Sequence, residues 1–430
     1  MYILEPRELA KITNILNKIK LQELETHKIL HLTANENIMS KTAASFLSSN
    51  LSGRYHVATY DDCPNLLNSL IHNIRDGLVL RCLSSVFELE KEARFYANKM
   101  FHSSFCDFRP LSGLHGVFSI LSTVTKPGDN IYVFNDESLA HYATKHLITN
   151  IGRRYSYFPW DGGKCDIDLE KFEQNFTKTP SKCLFFDIGT AIFPLPIREI
   201  RRIVGNDVIL IYDASHVLGL IAGGLFQNPL EEGCDILIGN THKTFPGPVK
   251  GIILYKNEDF GRWNSNNIFD TAISSQHTHH SIALYITILE MAMYADKYAL
   301  QIVNNNQALS KYLHNLGFEI FMPANKYPES HIVGITGKFS STNHASAELL
   351  LKSNISLNSR KICNIDALRI GVQEVTRKGM VENDMKQIAS FFEDILLRNK
   401  YIASDVVEFN KRFTTIKFSF DNLHLNEDVL

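Results

Sequence analysis

An aspartate and a lysine stand 30 residues apart, each just after a short apolar run. Asp213 follows Asp207-Val-Ile-Leu-Ile-Tyr212, and Lys243 comes shortly after Cys234-Asp-Ile-Leu-Ile-Gly239. Unbroken apolar runs of this length are typical of parallel strands that are covered on both faces. Because the carboxyl ends of parallel strands meet at one edge of an open sheet, we expect the carboxylate and the amine to share a site there.

A lysine and an aspartate in this order are what pyridoxal phosphate chemistry requires. The lysine holds the aldehyde of the cofactor as a Schiff base, and the carboxylate keeps the pyridine nitrogen protonated, so that the ring accepts carbanion electrons. Taken singly, Asp213 would be a turn residue at a strand end and Lys243 a solvated loop lysine. The motifs around them favour the cofactor site.

Five segments in one order along the chain resemble the serine hydroxymethyltransferase family. They are Leu32-Thr-Ala-Asn-Glu-Asn-Ile, Leu111-Ser-Gly-Leu-His-Gly, Asp213-Ala-Ser-His-Val-Leu-Gly, Thr241-His-Lys-Thr-Phe-Pro-Gly-Pro and Leu368-Arg-Ile-Gly-Val-Gln-Glu-Val. The resemblance implies an α/β protein of the pyridoxal phosphate-dependent transferase fold type I, also called the aspartate aminotransferase type. This fold has a mostly parallel, seven-stranded-type sheet with helices on both faces and a smaller α+β C-terminal domain.

Hydrophobic periodicity predicts three regions. Residues 1–55 form an N-terminal helical arm, on which Leu9, Ile12 and Ile19 share one stripe, residues 56–300 a large cofactor-binding domain, and residues 301–430 a small C-terminal domain. We expect a helical stretch from about 60 to 100, and then strands that alternate with helices. In the C-terminal region the pattern predicts a strand at His331-Ile-Val-Gly-Ile-Thr and a closing helix from Met380 to Leu397.

Composition adds limits. The chain of 430 residues is 44% hydrophobic, enough to bury a large core, and its formal net charge of −2 gives no electrostatic reason to expect nucleic acid or an anionic membrane as partner. Seven cysteines without a CxxC pair argue against a zinc site and a disulfide framework, so we expect no metal. The first residues lack a signal-peptide pattern, and no apolar run reaches transmembrane length. We expect a soluble, cytoplasmic protein.

The turn before a predicted helix at residues 110–116 suits a phosphate. Backbone N–H groups at a helix N-terminus, together with a hydroxyl, bind phosphate well. The resemblance implies that Ser112 and Gly113 hold the cofactor's phosphate, whereas Leu114 stands where the family usually has serine. On its own, a Ser-Gly turn would only cap the helix.

Four histidines are candidates for the site. By resemblance His141 opens a helix and stacks on the pyridine ring, with His146 as a rival because the spacing differs slightly from the family pattern. His216 lies one helical turn from Asp213 and would orient its carboxylate, and His242 would line the site beside Lys243.

Arg369 matches the arginine that binds the substrate's α-carboxylate in the family. The planar fork of a guanidinium suits a carboxylate, so this match implies a free α-amino acid as substrate. Tyr55 and Glu36 are further candidates for substrate contact. The family's site is shared across a homodimer, which implies that Tyr55, Ser274 and Ser275 come from the neighbouring subunit, the two serines near the phosphate.

One departure from the family concerns folate. After the tyrosine matched by Tyr55, the family has a glutamate for one-carbon transfer and then a glycine-rich loop, but here Val57 takes the glutamate's place and the loop is absent. A valine neither relays a proton nor hydrogen-bonds a pterin. The alternative is that Val57 is misaligned with the family's glutamate, and that Asp61, Asp62 or Glu36 supplies the acid.

We therefore favour a folate-independent aldolase or transaldolase that acts on the Cα–Cβ bond of β-hydroxy-α-amino acids such as threonine and serine, with glycine as the carried unit. An ordinary tetrahydrofolate-dependent serine hydroxymethyltransferase is the first alternative. A pseudoenzyme or binding protein with the same fold is the second, and the joint presence of Asp213, Lys243 and Arg369 disfavours it.

Overall fold

A computed structural model describes most of the chain, namely residues 6–56, 71–75, 78–81, 83–135, 138–273, 276–340 and 344–422. Five residues used in the predictions lie outside the described ranges: Val57, Asp61, Asp62, Ser274 and Ser275.

The N-terminal region begins with an exposed helix. Its elements are α1 (Pro6–Thr26), β1 (Leu30–His31), α2 (Lys41–Ser45), the 3₁₀ turns Phe46–Ser48 and Asn50–Gly53, β2 (Ile71–Arg75), β3 (Leu78–Arg81) and α3 (Ser84–Phe101). The apolar stripe of α1 faces solvent in the single chain; Leu16, for example, is 54% exposed.

The predicted helix from about 60 to 100 is confirmed from Ser84 onwards and is wrong over residues 71–75 and 78–81. There, β2 and β3 pair as antiparallel strands. The two short runs, rich in branched apolar residues, flank Asp76-Gly77 in the sequence, which is a strong hairpin signal. This hairpin signal favours paired strands more strongly than the weak helical periodicity favours a helix.

The central region alternates strands and helices, as predicted. In chain order its elements are β4 (Phe105–Asp107), α4 (Gly113–Val124), β5 (Asn130–Val133), α5 (Thr144–Asn150), β6 (Arg154–Tyr157), β7 (Trp160–Asp161), β8 (Asp166–Ile167), α6 (Leu169–Lys178), β9 (Cys183–Asp187), α7 (Ile197–Val204), β10 (Ile209–Asp213), α8 (Leu218–Ala222), α9 (Pro229–Glu232), β11 (Ile236–Asn240), β12 (Gly251–Tyr255) and α10 (Glu258–Thr271).

Seven of these strands form one sheet in the order β4-β12-β11-β10-β9-β5-β6. The five strands from β11 to β6 are parallel, and β12 and β4 join antiparallel at one edge. The mostly parallel sheet is therefore confirmed. Asp213 is the last residue of β10, in register with Asp187 of β9 and Ile238 of β11, so three strand ends bring their side chains to one edge.

The C-terminal region follows a helix of 38 residues. Its elements are α11 (Thr278–Asn315), the 3₁₀ turn Pro323–Asn325, β13 (Ile332–Ile335), the 3₁₀ turn Gly337–Phe339, α12 (Ala345–Lys352), β14 (Ile355–Ser356), β15 (Asn358–Ser359), β16 (Leu368–Gly371), α13 (Gln373–Arg377), α14 (Glu382–Phe392), the π turn Glu393–Leu397, α15 (Ala403–Asn410) and the 3₁₀ turn Phe420–Asn422.

Strands β13, β16 and β15 form a small antiparallel sheet, and β1 pairs with β14. The predicted strand near His331 and the closing helix near 380–397 are confirmed. Helix α11 runs without interruption through residue 300, where the sequence suggested a domain boundary, and the division into domains stays a prediction. Among the described helices, none is long and apolar enough to cross a membrane.

A buried ion pair ties α11 to the C-terminal region. Arg377 Nη2 donates to Glu290 Oε2 at 2.9 Å, and both side chains are fully buried. The second carboxylate oxygen, Oε1, accepts from the backbone N–H of Phe420 at 3.0 Å. Removing one partner of such a pair leaves the other charge buried without compensation.

We predict that Glu290→Ala lowers the free energy of unfolding by about 3 to 5 kcal/mol. The matched control is Glu258→Ala, which breaks the exposed Glu258–Arg262 pair on α10 and should cost less than about 0.5 kcal/mol. Urea unfolding followed by circular dichroism measures both changes. Equal losses in the two variants would mean that the buried pair contributes no more to the free energy of unfolding than the exposed pair.

Candidate active site

A cavity opens at the carboxyl edge of the parallel strands. It encloses about 420 Å³, counting the solvent at its mouth, and its lining includes His141, Asp187, Asp213, His216 and Lys243. The predicted pair, Asp213 and Lys243, therefore lies in one cavity.

Lys243 is almost fully buried, and its Nζ lies 3.0 Å from His216 Nε2. Burial, opposed by the nearby Asp213, lowers the pKa of Lys243 to about 8. Burial and the charge of Lys243 also lower the pKa of His216 well below its usual range, so His216 is neutral, and its Nε2 lies within hydrogen-bond distance of the amine. From the N-terminal segment, Asn37 Nδ2 donates to the Lys243 carbonyl at 2.5 Å.

Asp213 is oriented by the backbone rather than by a histidine. Its Oδ1 accepts from the N–H of Ser215 at 2.8 Å, whereas His216, which the sequence placed on this carboxylate, contacts Lys243 instead. The turn after β10 explains this difference. It directs the Ser215 N–H to Asp213 and places the His216 ring beside Lys243. The residue Asp213 also lines the cavity.

The predicted phosphate turn opens α4. Ser112 caps this helix, since its Oγ accepts from the N–H of His115 at 3.1 Å, and the N–H of Gly113 donates to Asn240 Oδ1 at 2.7 Å. The Leu114 side chain lines the cavity, and its backbone N–H has no acceptor among the described residues. The N-terminus of α4 thus points a free N–H group towards the cavity, which suits a phosphate.

Of the candidate ring-stacking histidines, the structure places His141 at the cavity and His146 away from its lining. His141 does not open a helix as expected: α5 begins three residues later, at Thr144. Burial lowers the pKa of His141 and of His242, the latter to about 4. The Nδ1 of His242 is buried without a partner in the described chain, and His242 itself is not among the cavity-lining residues.

Arg369 is buried in β16 and presents unpaired donors. Its Nη2 donates to Asn35 Oδ1 at 3.3 Å and to Asn358 Oδ1 at 3.0 Å, while its Nε and Nη1 lack an acceptor in the described part of the chain. Unpaired guanidinium donors are costly when buried, and a carboxylate would satisfy them. Its charge lowers the pKa of both Lys243 and His216, which places it near the cavity.

Sequence reasoning missed three residues here. The ring of His331 lies 6.2 Å from that of His216, nearly parallel to it, with its Nε2 2.9 Å from the carbonyl of Ala34. Asp187 and Thr144 both line the cavity. Asp187 is the last residue of an apolar strand, as Asp213 is. This position in the sequence could have identified Asp187 as a site residue.

Two predicted substrate residues lie at the surface of the single chain. Tyr55 is 57% exposed, and Glu36 is also exposed. Neither is among the cavity-lining residues. The assignment of Tyr55 to a neighbouring subunit stays a prediction, as do those of Ser274 and Ser275, which lie outside the described ranges.

The residues fit pyridoxal phosphate: a buried lysine with a lowered pKa, a cavity-lining aspartate, a helix N-terminus and an arginine with unpaired donors lie together. The family model described as serine hydroxymethyltransferase matches residues 9–392. The chain belongs to the serine hydroxymethyltransferase family, and it is a pyridoxal phosphate-dependent enzyme of fold type I.

Three relatives are informative. A fluorothreonine transaldolase of Streptantibioticus cattleyicolor is 33% identical over 423 residues, which are 97% of this chain but 65% of that protein, so the chain spans about two thirds of its length. A serine hydroxymethyltransferase of Methanosphaera stadtmanae is 32% identical and covers 91% of this chain and 92% of its own. The crystal structure of an L-threonine transaldolase from Pseudomonas fluorescens has a TM-score of 0.88 at 25% identity, covering 98% of this chain and 97% of that chain.

Gly219 generates a prediction, because α8 contacts the backbone next to Lys243 there. Its N–H donates to Thr244 Oγ1 at 3.0 Å, and a Cβ atom added to Gly219 would lie 2.2 Å from the carbonyl oxygen of Thr244. Gly219→Ala must therefore displace the lysine segment. We expect its affinity for pyridoxal phosphate to fall about tenfold or more, as displaced groups lose hydrogen bonds of about 1 to 3 kcal/mol.

Gly162→Ala is the matched control, since a Cβ there meets nothing within 4 Å. Fluorescence titration of the cofactor-free protein measures both affinities. A Gly219→Ala protein that binds as tightly as the control would show that this contact does not position Lys243.

Proposed function

We propose that the protein is a folate-independent aldol-type enzyme that breaks and forms the Cα–Cβ bond of β-hydroxy-α-amino acids, with threonine as a substrate. The observation that carries the proposal is the likeness along the whole chain to a protein named as an L-threonine transaldolase. The second named transaldolase supports it, and so does the valine at position 57.

Lys243 and His216 prepare the amine of the site. With a pKa of about 8, Lys243 carries a neutral, nucleophilic amine in about a tenth of molecules at pH 7 and in a larger share at higher pH. His216 Nε2 lies within hydrogen-bond distance of this amine. When bound, pyridoxal phosphate supplies an electron sink that stabilises negative charge at the Cα atom of an amino acid.

Asp213 and Arg369 orient the two partners of the reaction. The Asp213 carboxylate, whose Oδ1 is fixed by the Ser215 N–H, would hold the ring nitrogen of the cofactor and keep it protonated. The unpaired Nε and Nη1 of Arg369 would bind the α-carboxylate of the substrate. Fixing the carboxylate would decide which bond at Cα breaks.

The folate-dependent alternative rests on the similarity to a protein named serine hydroxymethyltransferase. Against it stands Val57, whose side chain offers no acid or hydrogen bond for a pterin. The exposed position of Tyr55 and the apolar face of α1 in the single chain support a homodimer that shares its active sites.

The deciding experiment compares threonine and serine cleavage with and without tetrahydrofolate. We expect acetaldehyde release from threonine at the same rate in both conditions, and a new β-hydroxy-α-amino acid when a second aldehyde is added. Lys243→Ala, the control, should lose the visible absorbance of the bound cofactor and at least about 10³-fold of the rate. Cleavage of serine that requires tetrahydrofolate would establish the alternative.

Arg369→Lys tests the carboxylate site. Lysine keeps the charge but loses the planar fork, so we expect the KM for threonine to rise about 10- to 100-fold, as lost hydrogen bonds to a charged group are worth about 1.5 to 3 kcal/mol. The affinity for pyridoxal phosphate should stay within about threefold, because Arg369 binds the substrate and not the cofactor. An unchanged KM together with weaker cofactor binding would assign Arg369 to the cofactor instead. Steady-state kinetics and cofactor titration separate these cases.

A further inference from the structure

A second carboxyl group lies beside Asp213 at the cavity. Asp187 ends β9, and its Cα is the register partner of Asp213 at the end of β10. Register partners on neighbouring parallel strands direct their side chains to the same face of the sheet. Both residues line the cavity, so the cofactor site has two neighbouring acids where pyridoxal phosphate chemistry requires one.

One oxygen of Asp187 fastens the segment that carries His141. Oδ2 accepts from the backbone N–H of His141 at 3.1 Å and from the hydroxyl of Thr144. Asp187 is 3% exposed and Thr144 is 2% exposed, so water does not compete for these bonds. The other oxygen, Oδ1, has no hydrogen-bond partner among the residues that the structure describes.

The surroundings of Asp187 favour its neutral form. Burial, and then the charge of Asp213, raise the pKa of Asp187 to about 7, against the hydrogen bonds from Thr144 and His141 and the charge of Lys243. The titratable groups whose charges act on Asp187 are Asp213 on the neighbouring strand and Lys243 after β11. The charge of Asp213 thus opposes the ionisation of Asp187, because two adjacent carboxylates repel each other.

We propose that Asp187 is a positioning residue for the cofactor: it holds His141 at the wall of the cavity and, as the neighbour of Asp213, sets the negative charge at this edge. This inference rests on the assignment of Asp213, His141 and Lys243 to the cofactor site made above. A neutral Asp187 leaves one charge at the edge, on Asp213, and an ionised Asp187 adds a second. The total charge of Asp187 and Asp213 beside bound pyridoxal phosphate therefore changes near neutral pH.

Three variants separate anchoring from charge. Asp187→Asn keeps an oxygen that accepts from His141 and Thr144 but does not titrate. Asp187→Ala removes both the acceptor and the charge. Thr144→Val has nearly the same volume, keeps the carboxyl group and removes one donor to it.

The main readout is the visible absorbance and circular dichroism of the bound cofactor from pH 5 to 9. In the wild-type protein we expect a spectral step near pH 7. The step should be absent in Asp187→Asn and should move to higher pH in Thr144→Val, because a lost donor raises the pKa of the acid. Asp187→Ala should lose the step and bind pyridoxal phosphate about tenfold or more weakly, since His141 is no longer anchored.

The full-length chain without cofactor gives an independent readout. A buried acid with a raised pKa binds its proton more tightly when folded, so it reduces stability as the pH rises from about 4 to about 7. Asp187→Asn should therefore raise the unfolding temperature relative to the wild type at pH 8, and by less at pH 5, where only part of the effect has developed.

The results distinguish failure of this inference from failure of the proposed function. A step near pH 7 that persists in Asp187→Asn, or Asp187→Ala protein with unchanged cofactor affinity, overturns the inference and leaves the proposed function standing. If wild-type protein shows no visible band with pyridoxal phosphate and Lys243→Ala behaves identically, the assignment of the cofactor site fails instead.

Discussion

Burying the amino group of a lysine costs free energy unless neighbouring groups form hydrogen bonds with it, and the structure around Lys243 meets this constraint. A neutral histidine contacts the amine, and the aspartate of the adjacent strand offsets its charge. The Lys243 carbonyl is held by Asn37, and the following residue, Thr244, bonds both α8 and the carbonyl of His216. The N-terminal segment and the central sheet are thus joined at Lys243, whose desolvation makes its amine reactive.

The same constraint orders the charges of the cavity. Neutral His216 and His331 stack on each other near the buried cations Lys243 and Arg369, and burial lowers the pKa of His331 to about 3. Protonated histidines at these places would repel both cations. The two histidines therefore lie near both cations without adding charge. An incoming amino acid would supply the anion that Arg369 lacks.

Motifs in which neighbouring residues act together could be predicted from the sequence. Asp213 and Lys243 followed from two apolar runs, and Arg369 from the motif around it, since each lies within the segment that positions it. The stack of His331 on His216 joins residues far apart along the chain, and Asp187 faces the cavity only because β9 and β10 pair in one register. Local motifs do not reveal the register between strands that lie apart in the sequence, so these neighbours become visible only in the folded chain.

Helix α11 has a mechanical consequence. At 1.5 Å per residue, its 38 residues span about 57 Å, from the segment next to Gln276 to the approach to β13. A continuous helix bends only gently, so it behaves as a stiff rod whose ends move together. The chain continues from this helix to β13, which pairs with β16 and Arg369, so a tilt of the rod would shift the carboxylate site relative to the sheet edge.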